Sequence, residues 1–145
     1  IKGERYAYLD AIEKDFTVQK SLKGFWQVRF KENLHRGCNW WRPELNSDQD
    51  LADLAATTQH VFEQVLMCAS SWIQMNIPTQ NIVLVGGCAL NRTARTKLQS
   101  VWDDIWVPKN PGDPGSCVGA VCAKFKKHID NSDEMWYNKE HGKTE

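Results

Sequence analysis

Apolar residues recur at helical spacing over residues 47–76, and this is the strongest pattern in the chain. The stripe consists of Leu51, Leu54, Ala55, Thr58, Val61, Phe62, Val65, Leu66, Ala69 and Ile73. Ser47 stands at the start with Asp50 three residues later, which is the spacing of a capping box. Pro78 disfavours helical geometry at the residue before it. We therefore predict one long helix that ends close to residue 76.

Short apolar runs alternate with helical patterns in the second half of the chain. Residues 81–85 (NIVLV) and 104–108 (DIWVP) predict two short strands, and the first of them is apolar enough to be buried on both faces. Helices are predicted over 89–100 and 116–129. The order helix, strand, helix, strand, helix is typical of a parallel sheet between helices, so we predict an α/β fold over residues 47–129.

The last of these helices and the two ends of the chain give further expectations. Val118, Val121, Cys122 and Phe125 should face inward. Residues 5–16 have helical spacing, and residues 25–30 (FWQVRF) alternate as a strand does. Residues 1–46 are interpreted as an irregular or helical lead-in or inserted region, and residues 130–145 as a polar tail. The segment NWWRP, residues 39–43, favours packing under a loop over an aromatic ligand platform or partner surface.

The composition excludes several classes of partner. The chain has 18 basic and 18 acidic residues, and this balance gives no reason to expect a nucleic-acid partner. No apolar run is long enough to span a membrane, and no signal peptide is recognisable. The five cysteines form no CxxC pair, which predicts reduced, mostly buried thiols in a cytoplasmic protein.

A glycine pair follows the first predicted strand. Because Gly86 and Gly87 have no side chains, they can present backbone N–H groups to a ligand, or they can simply form a tight turn before the next helix. The pair alone leaves both readings open. It is not a GxGxxG motif, and no acidic residue ends a following strand to hold a ribose, so a Rossmann dinucleotide site is not expected.

The loop NPGDPGS, residues 110–116, follows the second predicted strand. Asp113 can cap the next helix, with Pro114 in the first helical position, and the loop alone favours this interpretation. The alternative is that Asp113 binds a cation while Gly115 and Ser116, at the helix start, face a phosphate. Loops at the carboxyl ends of parallel strands share one edge of the sheet, so this loop should lie beside the glycine pair.

Together the two loops resemble a known family. The chain resembles carbamoyltransferases of the nodulation-protein and antibiotic O-carbamoyltransferase type in LVGGCALN and, thirteen residues later, in IWVPKNPGDPGSCVGAV. The resemblance covers residues 47 to about 127. It implies the C-terminal half of an actin/Hsp70-like (ribonuclease H-like) ATPase core, related to threonylcarbamoyl-transfer proteins. It also implies that Gly86, Gly87 and Asn91 contact ATP or carbamoyl-adenylate and that Asp113 binds a divalent metal ion, iron or magnesium.

The sequence also departs from that family. In that family, the other metal ligands are a histidine pair spaced HxxxH. No two of the four histidines in this chain (35, 60, 128 and 141) have that spacing. The N-terminal half of the core and the YrdC-like domain are not recognisable either. We expect a fragment that needs these missing parts, or a second copy of itself, to transfer a carbamoyl group to the hydroxyl of a small-molecule acceptor. Alone it should be inactive, and no catalytic residue can be assigned.

Three other interpretations remain. The chain could come from another enzyme with the same ATPase core, such as a threonylcarbamoyl-transfer protein or a sugar kinase. It could also be a non-catalytic nucleotide-binding or scaffold fragment. His35 and Cys38 could begin a zinc site, but no second close pair completes four ligands.

Overall fold

The computed structural model describes residues 2–20, 26–128 and 135–138. The chain divides into two compact units, Ile1–Ala69 and Ser70–Glu145. The helices are α1 (Leu9–Asp15), α2 (Cys38–Trp41), α3 (Asp48–Asn76), α4 (Arg92–Leu98) and α5 (Asp113–Phe125), with 3₁₀ turns at Leu34–Arg36 and Gly87–Leu90. The strands are β1 (Phe16–Lys20), β2 (Trp26–Phe30), β3 (Asn81–Val83), β4 (Asp104–Val107) and β5 (Met135–Asn138). The predicted α/β class is confirmed.

In the first unit, α1 leads directly into an antiparallel hairpin. The strands β1 and β2 pair from Phe16 opposite Phe30 to Lys20 opposite Trp26. The strand predicted over 25–30 is confirmed, but the helix predicted over 5–16 is shorter than expected. It stops because Phe16 adopts an extended backbone and its buried ring lies 6.0 Å from that of Phe30.

The long helix α3 begins with the predicted capping box. The backbone N–H of Asp50 donates to Ser47 Oγ over 3.1 Å, and the N–H of Ser47 donates back to Asp50 Oδ2 over 3.3 Å. Two N–H groups that the first turn of a helix leaves without partners are satisfied in this way. The helix ends at Asn76, as the position of Pro78 predicted.

The predicted apolar stripe of α3 does not coincide with its most buried positions. Thr57, Glu63 and Ser70 are almost completely shielded from water, whereas Leu51 remains 43% exposed. For Thr57 the reason is its hydrogen bonding, because Thr57 Oγ1 donates to the carbonyl of Asp53 over 2.8 Å. A threonine hydroxyl bonded in this way to the preceding turn can be buried at little cost.

The second unit is built on a three-stranded sheet in the order β3-β4-β5. The strands β3 and β4 are parallel, with Ile82 opposite Ile105, and β5 pairs antiparallel to the other edge of β4. Leu98, Trp102, Ile105 and Val107 are completely buried and form the core of this unit. The parallel pair was predicted from the sequence, and β5 was not.

The helix α5 exposes the face that the sequence predicted to point inward. Val118, Val121 and Phe125 are 40%, 58% and 66% exposed, so no element among the described residues covers them. The prediction of mostly buried cysteines is likewise wrong for this structure. Cys68, Cys88 and Cys117 are exposed, and all five thiols are free. None of the helices in the described ranges combines the length and the apolar character that a membrane span requires.

Candidate functional site

The two loops singled out in the sequence lie side by side in the second unit, as predicted. The backbone N–H of Gly86 donates to the carbonyl of Pro111 over 2.6 Å. A Cβ atom added to Gly112 would lie 3.7 Å from the Cα of Gly87, in ordinary van der Waals contact. Because β3 and β4 run parallel, both loops leave the sheet at its carboxyl edge, where ligands of open α/β sheets bind.

The two glycines of the first loop serve different purposes. Gly86 has φ +89° and ψ 163°, a backbone conformation that is essentially restricted to glycine. Gly87 has no positive φ, and a Cβ atom added there would meet nothing within 4 Å. The turn itself therefore explains the glycine at 86. It does not explain the glycine at 87, which leaves open space above its backbone.

The residues after the glycine pair are held by a local cap. Asn91 precedes α4, and its side-chain oxygen accepts a hydrogen bond from the N–H of Ala94 over 3.0 Å. This is the usual contact of an asparagine N-cap. The observed role of Asn91 is thus to fix the start of α4, and the contact with a nucleotide remains a prediction.

The capping role favoured for Asp113 is wrong. Gly112 occupies the N-cap position of α5, Asp113 is the first helical residue, and no side chain caps this end. The carboxylate of Asp113 is exposed and makes no hydrogen bond or ion pair with any residue that the structure describes. Capping therefore no longer accounts for this aspartate, which stands open beside Gly112 at the shared edge.

Gly115 and Ser116, which were predicted to face a phosphate, differ from each other. A Cβ atom on Gly115 would lie 2.0 Å from the carbonyl oxygen of Asn110, so this glycine is required by packing within the loop. Its own N–H already donates to the carbonyl of Gly112 over 2.9 Å. Ser116 is exposed. Ser116 is therefore the residue of this pair that offers a polar side chain at the helix start.

The described residues do not build a metal site by themselves. In residues 2–20, 26–128 and 135–138, no group of three His, Cys, Asp or Glu side chains is close enough to hold an ion. Zinc sites take three or four protein ligands, whereas Mg²⁺ is usually held by one or two carboxylates together with substrate phosphates and water. Asp113 could supply one carboxylate ligand, and further ligands would have to come from elsewhere.

The first unit contains a pocket that the sequence did not reveal. It has a volume of about 530 Å³, and its walls come from α1, the hairpin, α2 and α3. Asp15 is one of its lining residues. The indole Nε1 of Trp41 donates to Asp15 Oδ2, and the guanidinium of Arg42 lies 3.8 Å from the same oxygen. The NWWRP segment was the available signal, because it supplies both Trp41 and Arg42.

Comparison with known proteins gives a consistent result. The family model described as carbamoyltransferase N-terminus matches residues 7–122. Nodulation protein U of Rhizobium tropici is 32% identical over 153 aligned positions, which cover 88% of this chain and 26% of that protein. Nodulation protein U of Bradyrhizobium diazoefficiens is 23% identical over 147 positions, 84% of this chain and 26% of that protein. The chain thus spans about a quarter of the length of these relatives. No solved structure matches it.

Proposed function

The chain belongs to the carbamoyltransferase family, and from this premise we propose that it supplies one wall of the site where a carbamoyl group passes to a hydroxyl of a small molecule. The observation that carries the proposal is the edge shared by Gly87 and Asp113. There, the open backbone of Gly87 lies against Gly112, the residue that precedes the unpaired carboxylate of Asp113, at the carboxyl end of a parallel strand pair.

The proposed reaction uses carbamoyl-adenylate as the donor. The acceptor hydroxyl oxygen attacks the carbamoyl carbon, the bond from that carbon to the adenylate phosphate oxygen breaks, and the hydroxyl proton leaves to a base. The products are the carbamate ester and AMP. This chain would contribute to binding: the uncovered backbone of Gly87 lets the adenylate approach more closely than any side chain would allow.

Three further residues at the same edge of the sheet are assigned roles in binding. Asn91 would lie beside the adenylate, because its cap fixes it directly after the glycine turn. The exposed Ser116 would face a phosphate oxygen near the positive end of α5, where the helix dipole favours an anion. Asp113 would supply one ligand to a divalent ion. No step is assigned to that ion, since the described residues lack the rest of its ligand set.

We also propose that this α/β unit is half of an actin-like ATPase core that works with a larger assembly. Two features support this. The parallel pair carries both loops at one edge, and α5 presents Val118, Val121 and Phe125 to solvent. Such a continuous apolar helix face is usual for a surface that another element covers. The other half of such a core with a YrdC-like domain, or a second copy of the chain, would provide that cover.

The test compares two substitutions that add the same methyl group in open space. We expect ATP, titrated into the ¹⁵N-labelled chain, to shift the backbone amide signals of residues 86–88 and 112–116. Gly87→Ala should weaken this binding about tenfold, a difference of ~1.4 kcal/mol. Gly119→Ala should leave it unchanged, because a Cβ atom at that α5 position also meets nothing within 4 Å.

Different outcomes would favour the other candidates. Shifts that spread over the chain without clustering at the two loops, or equal effects of both alanine variants, would contradict the nucleotide wall and favour a scaffold fragment. In the presence of Mg²⁺, Asp113→Asn should weaken ATP binding, and without the ion it should not. An effect of the same size in both conditions would mean that Asp113 does not act through a metal ion.

A further inference from the structure

The pocket of the first unit has the size and the walls of a ligand site. Its volume of about 530 Å³ lies within the range of small-molecule pockets, roughly 300–1,000 Å³. Its lining is largely apolar and includes Phe16, Trp41, Leu54, Val61, Phe62 and Val65. α1 and the hairpin, α2, and α3 each contribute a wall, and the remaining side of the pocket is open to solvent.

Water is a poor occupant for this pocket. A water molecule in a protein interior needs two to four polar partners, and the lining offers few polar side chains beyond Asp15 and Thr58. Apolar walls that face water forgo the free energy that burial of their surface would give, and this loss grows with the area left uncovered. A pocket of this volume is therefore best stabilised by an apolar occupant.

Asp15 gives the pocket one specific polar contact. Both of its side-chain interactions within the described residues, with Trp41 Nε1 and with the guanidinium of Arg42, are made by Oδ2. The second oxygen, Oδ1, accepts no hydrogen bond from those residues. The carboxylate is about one quarter exposed and belongs to the pocket lining. It is thus a fixed, negatively charged acceptor beside apolar walls.

We propose that this pocket binds a small apolar molecule that carries a single hydrogen-bond donor, a hydroxyl or an amine. The apolar body fills the space between α1, α2 and α3, and the donor bonds to Asp15 Oδ1. The negative charge of Asp15 discriminates against anionic molecules of the same shape. This inference does not depend on carbamoyl transfer, because all the residues involved lie in the first unit.

Two dyes with the same carbon skeleton and the same N–H donor test the effect of the ligand's charge. N-phenyl-1-naphthylamine is apolar and has one N–H donor, and 1-anilinonaphthalene-8-sulfonate adds one negative charge to it. We expect the neutral dye to bind the chain saturably with enhanced fluorescence, and at least about tenfold more tightly than the sulfonate. Asp15→Asn should strengthen sulfonate binding and reduce this ratio. An equal affinity for both dyes in the wild type would overturn the proposal.

A matched pair of substitutions locates the dye. Leu54→Phe enlarges a lining residue and should lower the affinity for the neutral dye. Leu51→Phe makes the same change one turn earlier on α3, at an exposed position outside the lining, and should not. If Leu54→Phe fails to fold, circular dichroism will show it, and the following measurement on the wild type decides.

Alkylation of the native cysteines provides that measurement. Cys38 lines the pocket, whereas Cys88 and Cys117 are exposed in the second unit, the latter on α5 with its apolar face. Saturating N-phenyl-1-naphthylamine should slow alkylation of Cys38 at least about fivefold, read by mass spectrometry, and should leave Cys88 and Cys117 unchanged. Equal alkylation of Cys38 with and without the dye would overturn the proposal and favour another polypeptide as the pocket's cover.

Discussion

The indole Nε1 of Trp102 donates a hydrogen bond to Ser70 Oγ over 3.1 Å, and both side chains are buried, with exposed fractions of 0% and 1%. This contact joins the last part of α3 to the core of the second unit. Ser70→Ala would leave the indole N–H buried without an acceptor, which costs about 1–3 kcal/mol. We expect the free energy of unfolding, measured by urea denaturation, to fall by that amount.

The adjacent serine is the control for this prediction. Ser71 is exposed on the same helix, so Ser71→Ala should change the free energy of unfolding by less than about 0.5 kcal/mol. Equal effects at both positions would indicate a general change in helix stability and would contradict a specific role for the buried hydrogen bond.

Two glycines of α5 should respond in opposite ways to alanine. A Cβ atom on Gly115 would lie 2.0 Å from the carbonyl oxygen of Asn110. Because this oxygen belongs to the backbone, the backbone would have to move to remove the clash. Gly115→Ala should therefore destabilise the chain by about 1–3 kcal/mol, as other overpacked sites do. Gly119→Ala meets open space and should stabilise it by ~0.5–1 kcal/mol through helix propensity. Thermal unfolding of both variants checks the signs, and a loss at both positions would contradict the packing argument.

Local chemistry made several elements predictable from the sequence. The capping box of Ser47 and Asp50 and the stop before Pro78 depend on residues close in sequence, and both limits of α3 were predicted within about one residue. The meeting of the two loops was also predictable. It follows from a general rule about the carboxyl ends of parallel strands, applied to Gly86 and Pro111.

Features that depend on distant partners were not predictable. The strand β5 exists through its pairing with β4, and nothing in the local pattern of residues 135–138 selects that register. At the candidate site, the conformation of Asp113 could not be predicted from the local sequence either. Asp followed by Pro is a common helix start, but the loop places Gly112 in the N-cap position, and the side chain of Asp113 stays open. The pocket at Asp15 combines residues from five helices and strands and a 3₁₀ turn, so the NWWRP segment, which supplies Trp41, could not by itself reveal the other walls.

The glycine turn gives a third prediction. Gly86 has φ +89° and ψ 163°, a region that costs a residue with a side chain about 1–3 kcal/mol. Gly86→Ala should reduce the free energy of unfolding by that amount. Gly87→Ala, one residue later and without a positive φ, should reduce it by less than about 0.5 kcal/mol. Urea denaturation of the two variants distinguishes them, and a larger loss for Gly87→Ala would refute this division of roles.

The hydrogen bond from Tyr8 Oη to Asp50 Oδ1, 2.8 Å long, should make stability depend on pH at both extremes. Hydrogen bonds from Ser47, and then from Tyr8, hold the pKa of Asp50 below its ordinary 3.8. The contribution of ionised Asp50 to the stability of the fold is therefore complete above pH 3.8, and it is lost as the pH falls through the lowered pKa. The same hydrogen bond raises the pKa of Tyr8 above 10.0, so its contribution is complete below pH 10.0 and is lost as the pH rises through the raised value.

Comparison of the wild type with Tyr8→Phe isolates this contact. Urea midpoints should show a constant advantage for the wild type between about pH 5 and 9, which shrinks toward both ends of the range as Asp50 becomes protonated or Tyr8 ionises. Tyr6→Phe is the matched control, because Tyr6 is 63% exposed and packs edge-on against the ring of His60. Its difference from the wild type should not change with pH near the pKa of Asp50. A Tyr8→Phe difference that stays constant from pH 2 to 12 would show that the phenol hydroxyl does not bond the ionised carboxylate.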